Sequence, residues 1–486
     1  MSKRGDLRTA VIREPSRGGR SRERPAGRAV RASVALAASL ALLSGCAVVG
    51  DNYSRPTLDT PSQYRASPAG GPSLAATSWR GVFTDPTLQK LIERALAGNL
   101  DLQSAAARVR ESQAQLVVVR AERLPTLGLG LTTTPTALRP SDTFTSTFLA
   151  AGLLSWEVDL WGRIARRVEA GEAEVARAQA SRDGAQVSLV AEVASRYFEI
   201  GGLRDVLEAP ERNAQLQRDA LRLMRRRNEA GIVSAAEVRQ AEVQLATTEA
   251  RVPGLQRDLS ATENALALLL GAAPMPAPGE RVRLTLPPAL PAGLPSELVD
   301  RRPDLREAEQ RLVAANARVG EARALLLPSL SITGALGRVS TALDGLVRNT
   351  GSDVASLGPN VSQTLYAGGA LQANRAAAIA RLDQALLAYR RTALNALREV
   401  SDAITSYDRI GEELQRQDER VKATLAALRL ADRRFGAGVT SYLEVLDAQR
   451  QLLSAETDRV NATRARQVAL VQVYRALGGG WEPAAR

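Results

Sequence analysis

The sequence predicts a mainly α-helical protein with a small transmembrane β part, in which long antiparallel coiled-coil helices carry four β-strands per chain. Three observations predict it. One structural unit is written twice in the 486 residues. Each copy holds a helical period too long for a compact domain, and each holds a pair of segments that alternate apolar and polar residues at matched positions.

The N-terminal element comes first. Residues 1–45 hold ten Lys or Arg against Asp6, Glu14 and Glu23, a net of +7 out of the formal +12 of the whole chain. Ala32 to Leu43 then form a twelve-residue apolar run broken only by Ser33 and Ser39, followed by Leu43-Ser44-Gly45-Cys46. Such a run is too short to span a bilayer as a helix, and a small-residue cleavage site follows it, as in a secretory signal. Cys46 is the only cysteine, at the lipobox position. Residues 1–45 therefore read as a lipoprotein signal peptide and Cys46 as the lipidated residue. The basic stretch is long for such a signal, and a start near Val30 would shorten it. With the signal removed about +5 remains, which takes away the main argument for nucleic-acid binding.

Histidine is absent and cysteine occurs once, so the commonest transition-metal ligands and His-dependent catalysis are missing. The chain also lacks a phosphate-binding Gly-Lys-Ser/Thr loop, a GxGxxG turn and a GxSxG elbow. No enzyme, cofactor or metal is expected.

After an extended segment, 46–86, the copies occupy 87–271 and 296–478, with a proline-rich linker at 272–295 and a tail at 479–486. Asp101-Leu102 stands 24 residues before Pro125 and Asp304-Leu305 stands 24 before Pro328. Further on the register holds at 207: Glu192 with Glu399, Gly231 with Gly438, Ser234 with Ser441, Glu237 with Glu444, Gly271 with Gly478. From Leu382 the apolar positions Leu386, Tyr389, Ala393, Leu397, Val400, Ile404 and Tyr407 step by three or four, and no proline interrupts Ala370 to Phe435. At 1.5 Å per residue that is a helix of about 100 Å, which needs neighbours along its whole length.

Each long helix ends at a matched turn, 229–234 and 436–441, where Gly231 and Gly438 can take the left-handed conformation. Ile232 and Val439 follow them. Ser234 with Glu237, and Ser441 with Glu444, then have the spacing of capping boxes opening the returning helices. The chain doubles back there, so each turn is a tip of the molecule.

The strands fall within 126–160 and 329–366. Leu127, Leu129 and Leu131 alternate with Gly128, Gly130 and Thr132, and Leu330, Ile332 and Leu336 with Ser331, Thr333 and Ala335. Phe144, Phe148, Leu154, Trp156 and Val158 share one parity against Thr143, Thr145, Thr147, Ser155 and Glu157. One greasy and one polar face is the pattern of a membrane barrel strand, although a half-buried soluble hairpin has the same period. Past residue 46 no apolar stretch approaches eighteen residues, so any span must be β. Four strands cannot close, because small membrane barrels begin at eight. Two copies would supply eight strands and three would supply twelve; arithmetic does not choose.

Six strings in order resemble the outer-membrane efflux proteins typified by TolC, and more closely their lipoprotein branch of OprM and NodT. They are Cys46-Ala-Val-Val-Gly-Asp-Asn-Tyr53, Trp156-Glu-Val-Asp-Leu-Trp-Gly-Arg163, Arg301-Arg-Pro-Asp-Leu-Arg306, Pro328-Ser-Leu-Ser-Ile-Thr-Gly334, Gly438-Val-Thr-Ser-Tyr-Leu-Glu-Val-Leu-Asp-Ala-Gln449 and Tyr474-Arg-Ala-Leu-Gly-Gly-Gly-Trp481. The resemblance implies a homotrimer with a twelve-stranded barrel in outer-membrane lipid and an α-helical barrel across the periplasm. Ala47, where an aspartate would favour the inner membrane, agrees with outer-membrane sorting. It also implies docking through the tips Gly231, Ile232, Gly438 and Val439 to a periplasmic adaptor and an inner-membrane transporter of the resistance-nodulation-division type. Matching the family string places a periplasmic gate at Leu443 and Asp447, with Arg434 as the nearest partner for a carboxylate. Read without the resemblance, Leu443 is a coiled-coil contact and Asp447 a solvated charge. Leu327, Tyr366-Ala-Gly-Gly and Phe435 depart from the family, the last by removing a hydroxyl beside the gate.

Two other readings share parts of this pattern. A metal-efflux or protein-secretion duct would have the same fold, although no His and only three Met offer no soft-metal relay. A periplasmic coiled-coil scaffold would explain the anchor and helices but not the alternating strands.

Mass spectrometry of the membrane-extracted protein should find Cys46 at the N-terminus and carrying acyl chains, two or more of which anchor a protein stably. An unmodified Cys46, or an intact signal, would contradict this reading.

Overall fold

The computed structural model describes residues 48–59, 61, 64, 77–136, 145–278, 298–348 and 350–479. The signal, Cys46, Phe144, most of the linker and the tail beyond Gly479 lie outside them. In chain order the elements are α1 (Trp79–Val82), α2 (Pro86–Gly98), α3 (Leu100–Ala121), β1 (Thr126–Thr136), β2 (Thr145–Val158), α4 (Arg163–Glu229) and α5 (Ala235–Leu269). After the linker come α6 (Leu298–Arg301), α7 (Pro303–Ala324), β3 (Ser329–Ser340), β4 (Ser352–Ser362), α8 (Ala370–Gly436) and α9 (Tyr442–Ala476).

The stem helices of the two halves match in length. The long helices α4 and α8 each have 67 residues, about 100 Å at 1.5 Å per residue. Each runs beside two shorter helices of 22 and 35 residues. Pro210 sits inside α4 without ending it, because the packing of neighbouring helices outweighs one lost backbone bond.

The shorter helices stack end to end. Asn99 caps α3 by accepting from Leu102 N at 2.9 Å, while its Nδ2 donates to Leu269 O at the end of α5 at 3.1 Å. Gly271, at φ +65°, lies so close that an added Cβ would stand 2.2 Å from Gly98 O. In the second half the same place is held by Arg302, whose Nη1 donates to Ala476 O at the end of α9 at 2.7 Å. Four continuous helical rows result, ordered α3 with α5, α4, α7 with α9, α8.

The strands form one antiparallel sheet in the order β1-β2-β3-β4. Register puts Leu127, Leu154, Gly334 and Leu357 in one cross-strand row, and Trp156, Ile332 and Pro359 in another. This face is greasy: Leu127, Leu129, Leu336 and Leu357 are 81%, 95%, 72% and 73% exposed. The opposite face carries Thr126, Ser155, Thr333 and Gly358. Leu153 breaks the alternation there because it covers a glycine; a Cβ on Gly130 would lie 3.0 Å from its Cδ1. Pro135 and Pro359 lie on the edge strands β1 and β4, where a missing donor is tolerated. Among the described residues no helix is long and apolar enough to cross a membrane.

Five apolar clusters join the rows among the described residues, and three of them are the largest. One joins α8 to α7 and α9 around Tyr389, Val400, Tyr407 and Leu470. A second lays α2 on α4 and α9 around Leu88, Ile92, Phe198 and Tyr474. The third lies between the two tips.

At Gly337 the backbones of β2 and β3 leave no room for a side chain, since a Cβ would stand 2.1 Å from Ala150 O. Gly337→Ala should therefore unpair the middle of the sheet and reduce the folded fraction recovered from outer membranes. Wild-type recovery and heat stability would show that the strands can separate without cost.

Candidate functional site

The tips are built by the backbone. At the first, Gly231 (φ +70°) lets Ile232 N donate to Arg227 O at 2.8 Å and Gly231 N to Asn228 O at 2.9 Å. At the second, Gly438 (φ +73°) lets Val439 N donate to Arg434 O at 2.9 Å and Gly438 N to Phe435 O at 3.0 Å. These are the paired bonds of a Schellman ending. Ile232 and Val439 are 70% and 68% exposed. The fold brings the tips side by side, with Leu221, Met224 and Val238 packing on Ala431, Tyr442, Val445 and Leu446.

Their caps differ. At the first tip the capping box forms: Ser234 Oγ accepts from Glu237 N at 3.3 Å and Glu237 Oε2 accepts from Ser234 N at 2.9 Å. At the second, the box expected of Ser441 and Glu444 does not form, and the Ser441 side chain makes no cap bond. Glu444 is drawn elsewhere, accepting from Thr440 Oγ1 at 2.5 Å and pairing with Arg434 Nε at 3.6 Å.

Leu443 and Asp447 share a face of α9, one turn apart. Tyr442, Val445 and Leu446 turn inward to the tip cluster, and Leu443 is left 53% exposed. Asp447 accepts from Arg450 on its own helix and from Gln451 Nε2 at 2.6 Å. Arg434 thus meets Glu444 and leaves Asp447 to Arg450.

At the other end of the long helices the strand-to-helix turn is held by the string from Trp156 to Arg163. Trp156 Nε1 donates to Arg123 O at 3.0 Å and Trp161 Nε1 to Pro328 O at 2.7 Å, so each indole pins a helix-to-strand turn of one hairpin. Asp159 accepts from Ala165 N at 2.8 Å in the first turn of α4. Arg163 grips Glu157 with two bonds of 2.8 Å, and these bonds hold its guanidinium above its ordinary pKa. Arg167 bridges Glu122 at 2.8 Å and Glu321 at 2.6 Å, tying α3, α4 and α7 below the sheet.

A greasy-faced sheet on a 100 Å helical stem, pinned at both ends, is the architecture that comparison then identifies. The pattern of the outer membrane efflux protein family matches residues 91–272 and 294–479. The chain belongs to the outer membrane efflux protein family. The solvent efflux pump outer membrane protein SrpC of Pseudomonas putida is 35% identical over 459 residues, 91% of this chain and 97% of that one. The probable outer membrane lipoprotein SilC of Salmonella typhimurium is 31% identical over 448 residues, 90% and 97% of the two chains. Among solved structures, the outer-membrane channel OprN superposes with a TM-score of 0.82 at 32% identity, over 90% of this chain and 100% of that one. This efflux protein is an outer-membrane pump component and not an enzyme.

In the efflux protein the extended segment that begins at Val48 is a strap laid across the helices. Val48 lies on Gly162 (φ +74°), where a Cβ would come within 2.7 Å of Val48 Cγ1. Val49 N donates to Trp161 O at 3.0 Å. Arg166, 2% exposed, donates to Val49 O, Gly50 O and Asn52 Oδ1 at 3.2, 2.6 and 3.1 Å. Farther along the strap, Arg55 donates to Glu309 of α7 at 2.7 and 2.8 Å and to Asp300 of α6 at 2.7 Å; both carboxylates raise its pKa. Tyr53 OH also donates to Glu309, at 3.2 Å. The strap starts two residues after Cys46, at the base of the sheet.

Arg166→Ala leaves two strap carbonyls without their buried donor, a loss of about 1–3 kcal/mol for each group. Limited proteolysis should cut the strap near residues 49–55 in this variant and leave the long helices whole. Unchanged strap resistance would show that the remaining strap contacts hold it without Arg166.

Proposed function

We propose that three copies of this efflux protein close a twelve-stranded barrel and a helical duct beneath it, through which drugs and other small molecules leave the cell. The observation that carries the reading is that the chain is open on the same two sides at every level. β1 and β4 end the sheet with unpaired backbone groups, which cost several kcal/mol each in hydrocarbon. Below them, one outer helical row exposes Leu100, Val117, Val118, Val243 and Leu268 and the other exposes Leu387, Leu394 and Leu430. One repeated rotation would set a neighbouring copy against each edge, and a closed ring leaves none. The family resemblance favours three copies over two.

In this reading Cys46 carries acyl chains that enter the outer membrane beside the barrel base, where the strap begins. The paired tips with exposed Ile232 and Val439 meet the periplasmic adaptor, and an inner-membrane transporter of the resistance-nodulation-division type supplies the energy. The face that carries Leu443 and Asp447, turned away from the tip cluster, forms rings of three at the narrow end. Leucines there exclude water and carboxylates repel anions and hold cations.

Purified wild-type protein should show a small, mostly closed conductance in planar bilayers, and Leu443→Ala with Asp447→Ala a large one. Cells lacking the pump should take up vancomycin only with the double variant. Closure of the double variant in both assays, with the assembly intact, would remove the gate from these residues.

A further inference from the structure

The two tips have the same arginine, serine and glutamate at equivalent places, Arg227, Ser234 and Glu237 against Arg434, Ser441 and Glu444, and yet wire them differently. At the first tip Glu237 is spent on the cap: one of its oxygens takes both Ser234 N, at 2.9 Å, and Ser234 Oγ, at 3.1 Å. The turn is pinned again by Asn228, whose Nδ2 donates to Val233 O at 2.8 Å. At the second tip Phe435 replaces Asn228 and Thr440 replaces Val233. Phe435 cannot donate to the turn and instead leans on Tyr442, ring centroids 5.2 Å apart. Thr440 brings a hydroxyl that Val233 lacks, and Glu444 binds it at 2.5 Å while facing Arg434 at 3.6 Å.

We propose that Glu444 is a two-position latch. In the position seen here it joins α9 to α8 through Thr440 and Arg434, and leaves the first N–H groups of α9 without their side-chain cap. In the other it does what Glu237 does, capping α9 at Ser441 and releasing Arg434. The positions compete for one oxygen, since Glu444 Oε2 takes Thr440 Oγ1 here and the equivalent Glu237 Oε2 takes Ser234 N at the first tip. The cap is a genuine competitor: such a box satisfies otherwise orphaned donors, and a carboxylate at a helix N-terminus is favoured by the dipole. Leu443 precedes Glu444 directly, so the change of partner re-sets the first turn of the helix that carries Leu443 and Asp447. Glu444 is thus a positioning residue for the gate, and in this the proposal rests on the gate reading above. The first tip, with its cap closed and its turn pinned, serves as the fixed counterpart.

Thr440→Val tests it with an isosteric change that gives the second tip the residue found at the equivalent place in the first. Glu444 then loses its hydroxyl and should move to the cap. Amide hydrogen exchange on the full-length protein should show Ser441 to Glu444 exchanging faster than Ser234 to Glu237 in the wild type, and slowing to match in Thr440→Val. In planar bilayers Thr440→Val and Arg434→Gln should each raise the ratio of open to closed channels, by about two- to fivefold per copy for an exposed ion pair. Arg227→Gln should be silent. Equal exchange at the two tips in the wild type, or no change in either variant, overturns the latch. If Leu443→Ala with Asp447→Ala opens the channel while the latch variants stay closed, the gate stands and the latch falls. If that double variant stays closed, the gate reading falls, and slowed exchange in Thr440→Val alone upholds or, by its absence, refutes the change of partner.

Discussion

A sheet of four strands facing hydrocarbon cannot end in hydrocarbon. β1 and β4 each present a row of N–H and C=O groups, and lipid offers nothing to bond them. Everything else in the chain is compatible with a neighbour meeting those edges. The helical rows are open on the same sides, and the apolar residues left exposed there would be a liability on a solitary chain. Closing the ring satisfies sheet and stem together, which is why one chain can carry so small a β part.

The second constraint is mechanical. A stem about 100 Å long is useful only if its two ends keep their relation to each other, and the structure spends its buried polar groups on that. Asn99 and Arg302 occupy equivalent places in the repeat, and each staples a short helix to the end of the next, so that two pieces act as one row. Arg302 is 7% exposed and also holds Asp304 at 2.6 Å and Glu399 at 2.8 Å, which keeps a buried charge paired. At the membrane end Trp156, Trp161 and Arg167 fix where sheet gives way to helix, and Arg166 lays the strap across the same place.

Much of this was legible in the sequence because it is local or periodic. The left-handed glycines, the three-and-four stepping of α8 and the parity of the strands each follow from neighbours a few residues apart. Pro210 shows the limit of such reasoning, since local preference argues for a break in α4 that tertiary packing overrides. The strap was illegible because its partners lie more than a hundred residues away: nothing around Arg166 says that it binds Val49 and Gly50. The second cap escapes sequence reasoning for a related reason. Ser441 and Glu444 have the right spacing, but Thr440 and Arg434 compete for the carboxylate across a turn, and spacing does not report competition.

The central claim is that one chain is a fraction of a closed barrel, and subunit counting tests it most directly. Native mass spectrometry of the protein extracted in mild detergent should give a single assembly of three chains, with twelve strands and no free edge. A stable monomer would contradict the account at its root, and a dimer would replace the twelve-stranded barrel with one of eight.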